Sequence, residues 1–149
     1  MIFIMIVMNK KGGWFWKSKE KKTKEDIRGW FVKELSALKS VQSDFNNFLA
    51  NADLRSLESF YDGLKMLDEH SNALDFCLVE YGFKLTNDAK TYKRDLAVLI
   101  VNLGKIIKKG EITKEQKSEI TSMWKGIYSY CIARRGYIKQ VLELSGKAE

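Results

Sequence analysis

The chemistry open to this 149-residue chain is limited by its single histidine, His70. Metal sites built on two or three histidines are excluded, and a histidine–nucleophile couple would have to use this residue. Asp68 and Glu69 precede it and would repel a phosphoryl group, and Leu67 stands where a di-iron Glu-x-x-His motif needs glutamate. The sequence also has no glycine-rich phosphate loop, nucleophile elbow or calcium loop. We therefore expect no catalytic motif, metal, cofactor or small-molecule substrate.

Two adjacent arginines near the C-terminus are the other candidates for a site. Arg134 lies in the apolar stripe of the last predicted helix, and Arg135 follows it on a neighbouring face. Because an unpaired buried charge is very costly, the Arg134 guanidinium must reach water or pair with a carboxylate. We expect its stem to be packed and its head to lie in water. The alternative is a site for an anion or an acidic partner, formed with Tyr130 or Tyr137.

The basic character of the chain is concentrated at its N-terminus. Residues 1–25 hold seven lysines and two glutamates, whereas the other 124 residues hold 19 basic and 17 acidic side chains. Aromatic side chains among lysines favour the interface of an anionic membrane. The predicted contact residues are Lys10, Lys11, Trp14, Phe15, Trp16, Lys17, Lys19, Lys21, Lys22 and Lys24. In an alternative interpretation the three aromatic residues fold back onto the helices while the lysines stay solvated.

An apolar octet, residues 1–8, precedes this cluster. It is shorter than the roughly 20 residues that span a bilayer and lacks a positively charged start, so it resembles neither a membrane helix nor a signal peptide. Translation beginning at Met8 and an extended segment packed on the helices are two further interpretations. Cys77 and Cys131 are far apart in the sequence and are expected to be reduced and buried in a cytoplasmic protein.

Hydrophobic periodicity predicts four helices, over residues of about 24–51, 54–84, 89–109 and 113–146. These helices position the candidate residues described above. The absence of proline favours long helices over a β fold. Turn and cap chemistry marks the boundaries, at Asn51 or Asp53, Thr86, Gly110 and the Thr113–Gln116 capping box. Short connections predict antiparallel neighbours. The expected fold is an all-α, up-down-up-down four-helix bundle over residues 25–149, behind an N-terminal segment over residues 1–24.

The function predicted from these features is a non-enzymatic binding or scaffold module that associates peripherally with anionic membrane through residues 10–24. A protein partner or self-association is also expected. Sequence-independent nucleic-acid binding by the same lysines is the alternative, although 21 lysines against five arginines disfavour a sequence-specific reader. A third hypothesis is a helical enzyme or phosphotransfer protein using His70. Phosphotransfer domains follow their histidine with a Lys-Gly pair, and here Ser71 and Asn72 follow it.

Overall fold

The computed structural model describes the backbone of residues 13–147 and the side chains of residues 23–143. This part of the chain is all-helical and contains no strand, which confirms the all-α fold class. The helices are α1 (Gly13–Asn51), α2 (Leu54–Glu80), α3 (Asn87–Lys109) and α4 (Lys114–Lys147). The backbone of α1 begins eleven residues before the predicted start and passes through residue 24 without a break. Residues 1–12, which include Lys10 and Lys11, lie outside the described residues.

The end of α2 also differs from the prediction, because the helix stops at Glu80 and not at residue 84. Gly82 adopts a left-handed conformation with φ of 91°. Its amide donates to the Val79 carbonyl at 3.0 Å, and the Phe83 amide donates to the Leu78 carbonyl at 2.9 Å. This pair of bonds forms a Schellman motif, which satisfies carbonyls that the helix end would otherwise leave free.

The other predicted boundaries carry the caps expected of them. Asp53 accepts from the Ser56 amide at 2.8 Å ahead of α2, and Thr86 accepts from the Ala89 amide ahead of α3. Gly110 ends α3 in the left-handed conformation. The Thr113 capping box forms as predicted: its hydroxyl accepts from the Gln116 amide at 3.1 Å, and the Gln116 side chain accepts from the Thr113 amide at 2.9 Å.

Two apolar clusters lie along the length of the helices. The larger contains an aromatic group in which ring centroids are 5.4–6.3 Å apart: Phe45, Phe48, Phe60 and Trp124. The smaller is formed by Ile27, Phe31, Leu74, Cys77, Leu78, Phe83, Ile138 and Val141. In α1, α2 and α4 the buried polar residues Glu34, Ser71 and Arg134 fall between the residues of the two clusters.

Each helix packs against two others: α1 against α2 and α4, and α3 against the same two. The α1–α2 contact is close at Gly63, where a Cβ atom would lie 3.0 Å from a carboxylate oxygen of Asp44 and 3.1 Å from Val41 Cγ2. Glycine at this position therefore allows the two helices to approach.

Candidate functional site: an anion-binding groove beside a buried charge cluster

Arg134 lies at the centre of a buried charge cluster that joins α1, α2 and α4. Its Nε donates to both carboxylate oxygens of Glu34, at 2.9 and 3.0 Å, and its Nη2 donates to the Ser71 carbonyl at 3.1 Å. Nη1 lies 2.6 Å from Oδ1 of Asp75. Arg134 is only 6% exposed. The expectation that its head lies in water is therefore wrong, and the required counter-charges come from within the protein.

The cluster is balanced in charge because Lys93, at the edge of α3, adds a second cation. Its ammonium lies 3.6 Å from Oδ2 of Asp75 and remains partly exposed. Burial opposes the charged form of Arg134, but the two carboxylates, Glu34 and Asp75, outweigh this and raise its pKa. Arg134 is thus held as a cation, and the cluster fixes three helices relative to one another.

Tyr92 covers one side of this cluster from α3. Its ring centroid lies 5.4 Å from the guanidinium carbon of Arg134, and its hydroxyl shares a 2.8 Å hydrogen bond with that of Ser71. Burial raises the pKa of Tyr92 well above its ordinary value. A cavity of about 80 Å³ adjoins the cluster and is lined in part by Asp75, Arg134 and Tyr137. Since the Arg134 charge is already compensated by Glu34 and Asp75, this side of α4 offers no free cation to an outside anion.

Arg135 lies on a different side of α4, in an open groove of about 590 Å³ between α1 and α4. The groove is lined by Leu35, Leu38, Lys39, Gln42, Ser43 and Asn46 of α1 and by Tyr128, Arg135 and Lys139 of α4. It thus contains three basic residues and no acidic one. In the described part of the chain none of the three forms an ion pair. The Nε of Arg135 is buried and has no hydrogen-bond partner there.

Trp124 orients Gln42, one of the neutral polar side chains that line the groove. An indole nitrogen can only donate, and that of Trp124 lies 3.0 Å from the Oε1 of Gln42. The amide nitrogen of Gln42 therefore faces Asn46, whose Oδ1 accepts from it at 3.5 Å. Asn46 is left with its amide nitrogen as a free donor. Donors and positive charges are the groups that bind anions, so the groove is a candidate anion-binding site.

The structure divides the residues predicted for an anion or partner site. Arg134 and Tyr137 line the small cavity, and the Tyr137 hydroxyl donates to the Lys84 carbonyl at 2.9 Å. Arg135 lines the groove, while Tyr130 is partly buried against the larger apolar cluster. The site prediction omitted Lys39 and Lys139 because each appears in the sequence only as one of many lysines.

The predicted membrane-contact residues fall largely outside the description of side chains. Trp14, Phe15, Trp16, Lys17, Lys19, Lys21 and Lys22 belong to α1 by their backbone only. Lys24 is half-buried, and the next basic residue of the helix, Arg28, is exposed. His70 is half-buried on α2. Membrane contact and a role for His70 both stay predictions.

Cys77 and Cys131 are free, buried thiols in different apolar clusters. Burial raises the pKa of Cys77 to about 11 and that of Cys131 to about 12. Both are therefore neutral near pH 7, and neither has the lowered pKa of a reactive thiolate.

Comparison with protein-family models, with curated proteins and with solved structures gives no match to this chain. Among the described residues, no helix is both long and apolar enough to cross a membrane. The same residues contain no group of three or more histidine, cysteine, aspartate or glutamate side chains placed to hold a metal ion. The geometry of the groove is thus the main guide to function.

Proposed function

We propose that the protein is a non-enzymatic helical module that binds an anionic membrane surface through the α1–α4 face and the basic start of α1. The observation that carries the proposal is the groove in which Lys39, Arg135 and Lys139 stand without an acidic neighbour in the lining. Each basic residue near an anionic surface contributes about 1 kcal/mol of attraction. Three such residues on one face supply a substantial part of a peripheral binding energy.

The register of α1 extends this basic face toward the N-terminus. Lys24, Arg28 and Lys39 are separated by four and eleven residues, spacings that return to nearly the same side of an α-helix. Positions 17 and 21 continue the series in the backbone of the same helix. Lys24, Arg28 and the groove residue Lys39 thus share one side of α1, which supports a continuous basic surface over this part of the helix.

The charge of α2 supports one orientation of the protein on such a surface. This helix carries six acidic residues and two basic ones, whereas α4 carries seven basic and three acidic residues. An anionic surface would attract α4 and repel α2.

An up-down-up-down arrangement of the helices forms part of the proposal. Support comes from pairs that join opposite ends of neighbouring helices: Tyr81 near the end of α2 donates to Asp26 in the first half of α1, and Lys117 near the start of α4 donates to the Leu49 carbonyl near the end of α1. Under this arrangement the long α1 and α4 run side by side and form the walls of the groove.

Vesicle sedimentation tests the membrane proposal on the full chain. Phosphatidylcholine vesicles with and without phosphatidylserine are compared, using the unmodified protein and the triple variant Lys39→Gln, Arg135→Gln, Lys139→Gln. We expect binding only to the anionic vesicles and a loss of about 100-fold in the triple variant, since three charges contribute about 1 kcal/mol each.

A matched control removes three exposed lysines from α3 by the substitutions Lys90→Gln, Lys105→Gln and Lys109→Gln. It should bind much more tightly than the groove variant. Equal losses in the two variants, or no binding to anionic vesicles, would overturn the proposal. Tighter, salt-dependent binding to a single-stranded oligonucleotide that needs the same three groove residues would replace it with the nucleic-acid hypothesis.

A further inference from the structure

Arg135 lines the groove, and its Nε is buried with no acceptor in the described part of the chain. No acceptor in the described chain binds its guanidinium, so the N–H groups that reach the groove are available to the oxygen atoms of a ligand. We propose that the groove is a specific site for a phosphate monoester group, held by Arg135 with Lys39 and Lys139. This inference rests on the proposed function, since it names the group that the same face recognises.

The charge and the donors of the groove favour a phosphate monoester over a singly charged anion. A phosphate monoester carries about −1.5 to −2 charges near pH 7 and has three strong acceptor oxygens. A phosphodiester carries one charge and has fewer free oxygens. Three cationic groups surround the groove, and Asn46 and Ser43 add neutral donors. The planar guanidinium can also bond to two phosphate oxygens at once, which an ammonium group cannot do.

The size of the groove indicates that the phosphate is attached to a larger organic group. A volume of about 590 Å³ exceeds what one phosphate fills, and the lining includes Leu35, Leu38 and Tyr128. These apolar surfaces suit carbon atoms next to the phosphate. Such a group occurs in lipid headgroups and in free phosphorylated compounds, so the experiment must separate the two sources.

Vesicles that contain phosphatidic acid, a phosphate monoester, are compared with phosphatidylglycerol vesicles adjusted to the same surface potential. We expect the full chain to bind phosphatidic acid about tenfold more tightly, the effect of roughly one additional charge-assisted hydrogen bond. The variant Arg135→Lys keeps the charge and loses the planar fork, so it should lose the preference while still binding both vesicles. Arg55→Gln removes an exposed arginine of α2, which does not line the groove, and should keep the preference. Far-ultraviolet circular dichroism establishes that each variant is folded.

The outcomes separate this inference from the proposed function. Equal binding to the two anionic vesicles by the unmodified protein, or a preference that survives Arg135→Lys, overturns the phosphate site and leaves the membrane proposal standing. Binding of free glycerol 3-phosphate that Arg135→Lys weakens, without binding to any vesicle, supports the site and overturns the membrane proposal.

Discussion

Replacing Arg134 by methionine tests the buried charge cluster. The substitution leaves Glu34 without either of its hydrogen bonds from the guanidinium, and it leaves Asp75 with only Lys93 at 3.6 Å. Removing one partner of a buried ion pair costs about 3 to 5 kcal/mol. Because two carboxylates lose a cation here, we expect Arg134→Met to lower the free energy of unfolding by an amount at the upper end of that range.

The double variant Glu34→Leu, Arg134→Met tests whether the uncompensated Glu34 carboxylate causes the expected instability of Arg134→Met. It removes the uncompensated glutamate together with the arginine and keeps the Asp75–Lys93 ion pair. We therefore expect it to be more stable than Arg134→Met by about 2 kcal/mol, since apolar replacement of a whole buried pair is often neutral or stabilising.

Urea unfolding followed by far-ultraviolet circular dichroism gives the free energies of unfolding of the variants and of the unmodified protein. Arg135→Met is the matched control, because the adjacent arginine has no ion pair in the described chain, and we expect a change below about 0.5 kcal/mol. Our interpretation is refuted if Arg134→Met and Arg135→Met are equally stable. It is also refuted if the double variant is less stable than the single one.

Three further predictions concern the thiols and a helix cap. Because burial raises the pKa of Cys77 to about 11 and of Cys131 to about 12, a thiol reagent at pH 8 should react about 100-fold more slowly with the folded chain than in urea, and a rapid reaction of the folded chain would contradict this. The folded pKa of Cys131 lies above its ordinary value of 9.0, so its contribution to stability is complete below pH 9.0 and is lost as the pH rises toward about 12. Denaturation at several alkaline pH values should show a shallower decline in Cys131→Ala than in the unmodified protein, and parallel declines would contradict that assignment. Thr113→Ala removes the hydroxyl that caps α4 and should lower the free energy of unfolding by about 1 kcal/mol in urea, whereas no change would show that the cap is not needed.

The helix boundaries that could be predicted are those set by local chemistry. Asp53, Thr86 and Thr113 each bond to an amide three residues ahead, so the sequence contains both the cap and its partner. The apolar stripe continues to Leu85 and therefore predicts an end of α2 that is too late. Gly82 nevertheless ends the helix, since two hydrogen bonds of the Schellman motif form around its left-handed backbone.

The partners of Arg134 could not be predicted from its own surroundings. Glu34 lies 100 residues earlier in the chain, and only packing brings it within 2.9 Å. A signal was present in α1, where Glu34 interrupts the apolar series between Phe31 and Leu38. Ser71 interrupts the series of α2 in the same way. Polar residues that interrupt the apolar stripes of separate helices therefore predict a buried contact, because buried polar groups are nearly always hydrogen-bonded.

The groove is cationic because acidic and basic residues are unevenly distributed among the helices, although their total charge is nearly balanced. Outside the first 25 residues the chain has 19 basic and 17 acidic side chains, which gives a nearly neutral sum. Six of those acidic residues lie on α2, a helix that does not line the groove. Lys39 of α1 and Arg135 and Lys139 of α4 therefore line the groove without an acidic residue beside them. Since electrostatic attraction depends on local charge within about a Debye length, a groove with three basic residues and no acidic one can attract an anion although the four helices together are nearly neutral.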